Sequence, residues 1–332
     1  PHPFVEFSGV VSTIFSGLGA AKLRPVAPGQ QLEPLTLADG GTVSLHWAEP
    51  PEASAQKNVG GLHIILVLPG LNNSSRTPFV QGALSQLRSC GFHGVALNYR
   101  GVEDPLTSPP IGCLDSWKDF PEVLTRIYER YPQPKISAIG FSMGGGMLLK
   151  FLGEHGDKAP FHAAVTISGP IDTVATAADL ERGGKIPFNY IMTQTAKVLL
   201  LNKVRKAPVC RENIHLGRAL SVLLLRQLDH HVTARLNGYE SAEDYYASNN
   251  PEPLLHRITV PTLMLHAKDD PVVGSRTLPR ETIRRNPRLL LALTRRGGHL
   301  GWVPRSSGVP WSDRVMSSFL VAWAQRPRPS SD

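Results

Sequence analysis

The sequence predicts an α/β protein in which a mostly parallel, eight-stranded sheet is covered by helices on both faces. Short apolar runs of buried-strand length recur along the chain, and segments with helical periodicity separate them. The 332 residues are 41% hydrophobic with mixed charge, which is sufficient for one large domain or two smaller ones. We therefore expect a globular protein with a substantial core.

The elements begin at residue 31, after a weakly patterned arm that covers residues 1–30. Two strands joined by the Asp39-Gly40-Gly41 turn are expected within residues 31–47. The other predicted strands are 63–68, 94–98, 136–139, 162–168, 260–266 and 289–294. The predicted helices are 79–88, 117–131, one that follows Ser142 and whose apolar face starts at Met147, and 311–323. The main domain is expected to cover residues 31–325, and a flexible Pro/Ser tail residues 326–332.

Residues 172–250 interrupt the alternation of strand and helix. They contain helix-like apolar clusters at 190–201 and 216–225 and no clear strand. We interpret this segment as an inserted helical cap over the substrate pocket, and ordinary connecting helices are the alternative. An apolar cap would suit an acyl chain, and the expected lining residues are Phe188, Ile191, Met192 and Leu199.

The most informative local pattern is Gly140-Phe141-Ser142-Met143-Gly144, between a predicted strand and a predicted helix. It fits the G-x-S-x-G turn that projects a nucleophilic serine above a sheet. Side chains at positions 140 and 144 would collide where strand and helix cross closely. The start of the helix behind Ser142 would also favour developing negative charge.

A serine hydroxyl needs a base to take its proton and an acid to orient that base. The sequence supplies them at the ends of later predicted strands, in the order Ser142, Asp269 or Asp270, and His299. We favour Asp270, four residues past the strand-end His266, and keep Asp269 open. A purely structural His299 is the alternative to a catalytic one. The backbone N–H groups of Met143 and Leu71 are the expected oxyanion donors.

Seven stretches together resemble the α/β-hydrolase superfamily, and more narrowly its AB hydrolase 4 branch of plant embryogenesis-associated proteins, bacterial esterases and animal lipid hydrolases. These stretches are LPGLNNSS, ALNYRGV, AIGFSMGGGMLLKFLGE, AAVTISGPID, LRQLDHHVTARLNGYESAEDYY, PTLMLHAKDDPVV and RRGGHLGW. The resemblance implies the α/β-hydrolase fold and a triad of Ser142, Asp270 or Asp269, and His299. It also implies carboxylic-ester hydrolysis, with acylglycerols or phospholipids as substrates.

Two features depart from the family pattern. Pro69-Gly70 stands where His-Gly is common, a change that should leave the backbone donor intact. The family's N-terminal glycine-histidine motif is not recognisable in residues 1–25, which leaves membrane attachment and lipid access open.

The remaining features concern partners and location. A net charge of +8 could attract nucleic acid or anionic membranes, and we favour a solvated basic surface without nucleic-acid binding. Three cysteines without a C-x-x-C pair suggest a reducing, intracellular compartment. No apolar window reaches the ~18 residues of a membrane span, so membrane association would be peripheral or through a segment upstream of Pro1. We expect neither metal nor cofactor.

The function favoured by the sequence is therefore a serine hydrolase that cleaves carboxylic esters through an acyl-enzyme. A thioesterase or amidase with the same triad is not distinguished from it, because the same acyl chemistry serves each leaving group. A catalytically silent scaffold that binds a lipid or protein partner is the alternative from another class.

Overall fold

An eight-stranded sheet organises the computed structural model, which describes residues 9–11, 13, 30–55, 61–302 and 308–326. The strands are β1 (Gln30–Thr36), β2 (Thr42–Ala48), β3 (His63–Leu68), β4 (His93–Asn98), β5 (Lys135–Phe141), β6 (Phe161–Ile167), β7 (Thr262–Ala267) and β8 (Leu289–Thr294). Their order across the sheet is β1-β2-β4-β3-β5-β6-β7-β8. Strand β2 is antiparallel to β1 and β4, and all other neighbours are parallel. The predicted mostly parallel, eight-stranded sheet is confirmed.

The helices lie between and beyond these strands. They are α1 (Glu52–Ala55), α2 (Pro78–Ser89), α3 (Phe120–Arg130), α4 (Met143–His155), α5 (Thr173–Leu180), α6 (Ile186–Lys206), α7 (Pro208–Arg211), α8 (Leu216–Ser221), α9 (Leu225–Leu228), α10 (Ala234–Leu236), α11 (Ala242–Ser248), α12 (Arg280–Arg285) and α13 (Trp311–Ala324). Short 3₁₀ turns occupy Leu114–Asp119, Gly156–Lys158, Gly183–Lys185 and Glu252–Arg257, and a π-helical turn occupies Asp229–Thr233.

Both faces of the central strands are buried, which explains their continuous apolar runs. In β3, Ile64, Leu66 and Leu68 belong to one core cluster, which also contains the inner faces of α3 and α4. The alternate residues Ile65 and Val67 belong to a second cluster with α2 and α13. The sheet therefore lies between two helical layers, and β8 forms one edge with Leu290 57% exposed.

Two predicted helical stretches are shorter in the structure than expected. The helix expected at 117–131 starts at Phe120, because the ring of Pro121 would clash with the carbonyl of Trp117 in a continuous α-helix, so a 3₁₀ turn precedes it. The cluster expected at 216–225 ends as a helix at Ser221. The carbonyls of Leu220 and Val222 accept hydrogen bonds from Lys197 Nζ at 3.0 and 2.9 Å, which replaces helical hydrogen bonding there.

The stretch between β6 and β7 carries helices and no strand, and all of its backbone is described. We call residues 172–250 the helical segment. Its buried residues form two apolar clusters of their own, one around Val204 and Val232 and one around Tyr245 and Tyr246. Of the expected N-terminal arm, residues 1–8, 12 and 14–29 lie outside the described part of the chain, as does the tail from residue 327 onward.

Candidate active site

Ser142 lies in the turn between β5 and α4. Its φ of 50° is in the left-handed region that few residues other than glycine adopt. Its N–H donates to the carbonyl of Ile167 at 2.8 Å, which ties the strained turn to β6. A Cβ on Gly140 would overlap the backbone of Gly144, and a Cβ on Gly144 would overlap the carbonyl of Leu68. The two glycines of the motif are therefore required by backbone contacts.

His299 reaches Ser142 from the loop after β8. Its Nε2 lies 2.8 Å from Ser142 Oγ, and its side chain is 12% exposed. The neighbouring Gly298 and Leu300 have φ values of 58° and 60°, so the chain reverses sharply on either side of the imidazole. The loop thus places the His299 imidazole next to the Ser142 hydroxyl.

Asp270 completes the arrangement from the loop after β7. Its Oδ2 lies 3.0 Å from His299 Nδ1, and its side chain is fully buried. Oδ1 accepts the N–H groups of Val272 and Val273 at 2.8 and 2.9 Å. With both oxygens engaged, the carboxylate is held toward the imidazole.

Asp269 bonds to backbone rather than to the imidazole. Its Oδ1 accepts the N–H of Gly298 at 3.0 Å, and Arg296 lies 3.8 Å from its Oδ2. The structure therefore brings Ser142, His299 and Asp270 together and gives Asp269 contacts that hold the histidine loop. Asp270, which its position in the sequence favours, is the aspartate whose carboxylate faces the imidazole, and its role as the triad acid stays a prediction.

The two expected oxyanion donors border the same cavity as Ser142. Met143 is the first residue of α4, where helical N–H groups lack intrahelical partners. A Cβ on Gly70 would lie only 3.2 Å from the Ser142 Cβ, so the backbone before Leu71 passes close to the serine. Among the described residues, no acceptor takes the N–H of Leu71 or Met143.

A cavity of about 650 Å³ opens above Ser142 and His299. The four residues expected to line an acyl pocket, Phe188, Ile191, Met192 and Leu199, all border it. Most of the other lining side chains are apolar too, and they include Leu71, Ile111, Leu180, Ala196, Leu200, Leu225, Leu228, Val272 and Val273. The helical segment thus supplies much of an apolar wall beside the serine.

Asp229 was not singled out by sequence reasoning, although it lies in the stretch LRQLDHHVTARLNGYESAEDYY. It is the only carboxylate among the described residues that border the cavity. Tyr246 Oη and Thr233 Oγ1 donate to its two oxygens at 2.6 and 2.8 Å, and burial raises its pKa to about 6. The π-helical turn places this carboxyl group in a mostly apolar wall.

Thr13 was also missed, because nothing in its local sequence marks it. Its Oγ1 accepts the backbone N–H of His299 at 2.8 Å, a contact between residues 286 positions apart. Thr13 borders the cavity as well. Part of the expected N-terminal arm therefore touches the site.

His266, a second described histidine near the site, makes no comparable arrangement, because neither of its ring nitrogens has a hydrogen-bond partner among the described residues. His266 is fully buried at the end of β7, where desolvation lowers its pKa to about 4, as expected for a packed strand-end residue.

Among the described residues, no group of three or more His, Cys, Asp or Glu side chains is placed to hold a metal ion. In the same part of the chain, no helix is long and apolar enough to cross a bilayer.

Comparison with known proteins agrees with this architecture. The family model described as "alpha/beta hydrolase fold" matches residues 63–301. Human phospholipase ABHD3 is 31% identical over 322 residues, which is 94% of this chain and 78% of that protein. Embryogenesis-associated protein EMB8 of Picea glauca is 29% identical over 334 residues, covering 96% of this chain and 72% of EMB8.

A solved structure of the Pyrococcus furiosus esterase Pf2001 superposes with a TM-score of 0.56 at 14% identity, covering 99% of both chains. This likeness supports the fold alone. The chain belongs to the α/β-hydrolase family, within its AB hydrolase 4 branch. The family resemblance stated from the sequence motifs is confirmed.

Proposed function

We propose that Ser142, His299 and Asp270 form the triad with which this carboxylic ester hydrolase cleaves acyl-lipid or medium-chain esters through an acyl-enzyme. The observation that carries the proposal is the continuous path from Ser142 Oγ to His299 Nε2 and from His299 Nδ1 to Asp270 Oδ2. The human relative is named a phospholipase, an enzyme that cleaves esters, and this supports an ester substrate.

In the first half-reaction, Ser142 Oγ bonds to the ester carbonyl carbon while His299 Nε2 takes the hydroxyl proton. Collapse of the tetrahedral intermediate breaks the bond to the alcohol, which leaves with the proton from His299. In the second half-reaction, water adds to the acyl carbon and gives its proton to His299. The carboxylic acid then leaves, and Ser142 regains its proton.

Asp270 stabilises the imidazolium that forms in each half-reaction and keeps Nδ1 protonated. The fixed positions of its two oxygens support this role, because rotation of the carboxylate would break hydrogen bonds to Val272 and Val273. The amides of Leu71 and Met143 would bind the oxyanion. Among the described residues neither N–H has an acceptor, so both are free to donate to an oxyanion, which supports the assignment. One such donor typically contributes about 10²–10³-fold to kcat.

The acyl chain would lie in the cavity under the helical segment, which we propose acts as a cap. Each methylene buried there contributes about 0.8 kcal/mol to binding. Phe188, Met192 and Leu199 border the same cavity as Ser142. An apolar acyl chain is therefore favoured over a charged or strongly hydrated one.

The hydrolysis of p-nitrophenyl esters from C2 to C16 tests this function. Ser142→Ala should lower kcat by roughly 10⁴-fold or more on every ester that the wild type cleaves. Ser85→Ala, at an exposed position on α2, should match the wild type. Hydrolysis that survives in Ser142→Ala would contradict the proposed nucleophile.

We further propose that the outer surface of the cap docks on an anionic lipid surface. More than half of the exposed large hydrophobic side chains in the described residues lie between Ile186 and Leu223. Two of them, Ile191 and Leu199, also border the cavity, so the apolar surface is continuous with the route to Ser142. The same range carries six Lys and Arg residues and one acidic residue, Glu212, a charge balance that attracts anionic lipids.

Co-sedimentation with vesicles tests the docking surface separately from catalysis. Binding should be stronger to phosphatidylserine-containing vesicles than to phosphatidylcholine vesicles and should weaken as salt rises. Val198→Ser combined with Leu220→Ser should reduce binding, because both side chains are exposed and outside the cavity. Leu290→Ser, on the sheet edge, is the control. Equal binding by all three proteins would exclude this surface.

A further inference from the structure

The described part of the N-terminal segment is wedged against both loops that carry the proposed acid and base. A Cβ on Gly9 would overlap the carbonyl of Asp269, and a Cβ on Gly298 would overlap the carbonyl of Gly9. Gly9 is buried, and residues 9–11 and 13 are helical. The backbone at Gly9 is thus in direct contact with the residues that precede Asp270 and His299.

The Thr13 side chain links this helical turn to the histidine itself. Thr13 Oγ1 accepts the His299 N–H at 2.8 Å and donates its own proton to the Gly9 carbonyl at 2.7 Å. Because the hydroxyl donates to Gly9, its lone pairs are available for the His299 amide. The side chain is 8% exposed, so little water competes for either hydrogen bond.

Other hydrogen bonds hold the histidine loop at neighbouring positions. Gly298 donates to Asp269 Oδ1 at 3.0 Å, and Gly301 donates to the carbonyl of Gly297 at 3.0 Å. Thr13 therefore accepts the backbone N–H of His299 itself, the residue whose ring faces Ser142. Gly298 and Leu300 both have positive φ, so the chain turns sharply on both sides of His299, and the direction of its ring depends on how the peptide before it is held.

We propose that Thr13 is a positioning residue: Gly9 and Thr13 dock against the histidine loop, and the Thr13 hydroxyl fixes the backbone of His299 so that its ring stays aligned with Ser142. The inference rests on the proposed function, because it requires His299 to act as the base. It assigns to the N-terminal segment a part in assembling the site. Thr13 acts through His299 and takes no part in proton transfer.

The test compares Thr13→Val, Thr13→Ala and Thr13→Ser in the full chain. Valine keeps the shape of threonine but cannot hydrogen-bond, alanine removes the side chain, and serine keeps the hydroxyl. Two rates are measured: kcat on a water-soluble ester and the rate of fluorophosphonate labelling of Ser142. Val10→Ala, at a 48% exposed neighbouring position outside the cavity, controls for a general change in the segment.

Thr13→Val and Thr13→Ala should lower kcat and the labelling rate by about tenfold or more, because misplacement of a reacting group by ~1 Å can cost up to 10²-fold. Thr13→Ser should restore most of both rates, and Val10→Ala should match the wild type. A merely structural role would lower thermal stability without this dependence on the hydroxyl. If the wild type labels and the valine and alanine variants label equally fast, the inference is overturned. If the wild type does not label, it is the proposed function that fails.

Discussion

Asp269 and Asp270 are adjacent in the chain, yet they bond to different parts of the same loop. Asp270 Oδ2 faces the ring nitrogen Nδ1 of His299, and Asp269 Oδ1 accepts the N–H of Gly298, the residue before it. One carboxylate therefore orients the imidazole and the other holds the backbone that carries it. This division explains how two neighbouring acids can serve one histidine without competing for it.

The division predicts unequal effects of the two Asp→Asn substitutions. Asp270→Asn should lower kcat by roughly 10³–10⁴-fold, because an amide in this position favours the wrong imidazole tautomer. Asp269→Asn keeps an oxygen acceptor for Gly298 and should lower kcat by less than about tenfold. Steady-state kinetics on a soluble ester measure both, with thermal unfolding to establish that each variant is folded. A larger loss in Asp269→Asn would reverse the assignment.

The cavity predicts that bulk added to its wall shortens the preferred acyl chain. Met192→Trp places a larger side chain on the cavity side of α6. The ratio of kcat/KM for a C12 ester to that for a C4 ester should fall by about tenfold, which corresponds to the loss of about two buried methylenes. Val198→Trp lies on the same helix, is 58% exposed and does not border the cavity, so it should leave the ratio unchanged. An unchanged ratio in Met192→Trp would place the acyl chain elsewhere.

The close approach of backbone at the serine turn predicts that Gly144 cannot be replaced. A Cβ there meets the carbonyls of Leu68 and Pro69, which belong to rigid backbone, so Gly144→Ala should destabilise the fold by about 3 kcal/mol or more and abolish labelling. Gly217→Ala, in α8 with open space around the new Cβ, should be neutral or stabilising by up to about 1 kcal/mol. Chemical denaturation gives both values, and an equally stable Gly144→Ala would mean that the turn differs from the structure described.

Three buried histidines each make the folded state less stable as the pH falls into mild acid. Burial lowers the pKa of His46 and His266 to about 4 and that of His63 to about 3, against about 6.5 in the unfolded chain. Below pH 6.5 these three side chains therefore bind more protons in the unfolded state than in the folded state, and their contribution to folding stability falls as pH falls toward 4. The buried carboxyls of Asp229 and Asp313, whose pKa values burial raises to about 6 and about 7, act in the opposite direction. Each histidine contributes a loss of up to about 1.4 kcal/mol per pH unit in this window.

Denaturant unfolding between pH 7 and pH 5 measures this slope. His63→Gln should reduce the slope of the unfolding free energy against pH by the equivalent of about one proton, whatever its effect on stability at pH 7. His256→Gln is the matched control, since His256 is exposed at the protein surface. A slope that His63→Gln leaves unchanged would show that His63 is not held neutral by burial.

Local signals made much of the fold predictable. The run LLLALT predicted β8 at the observed bounds, because charged neighbours limit it on both sides. Ser142, Asp270 and His299 could be proposed because each follows a recognisable strand, and parallel strands bring their carboxyl ends to one edge. Each of these features is encoded within a few residues of the chain.

Contacts between distant parts of the chain were not predictable in the same way. The end of α8 at Ser221 depends on Lys197, more than twenty residues earlier. The link between Thr13 and His299 joins the two ends of the chain, and no local pattern marks an isolated threonine as the partner of a histidine amide. Asp229 carried no signal either, because only the folded helical segment gives it a place in the cavity wall.

The central claim is that His299 activates Ser142. It is tested most directly by intact-mass measurement of fluorophosphonate labelling in the wild type, Ser142→Ala and His299→Ala, with the modified peptide identified by fragmentation. The account predicts one rapid adduct on Ser142 in the wild type, none in Ser142→Ala, and labelling slowed by at least about 10³-fold in His299→Ala. Rapid labelling that persists without His299, or that falls on another residue, would contradict it.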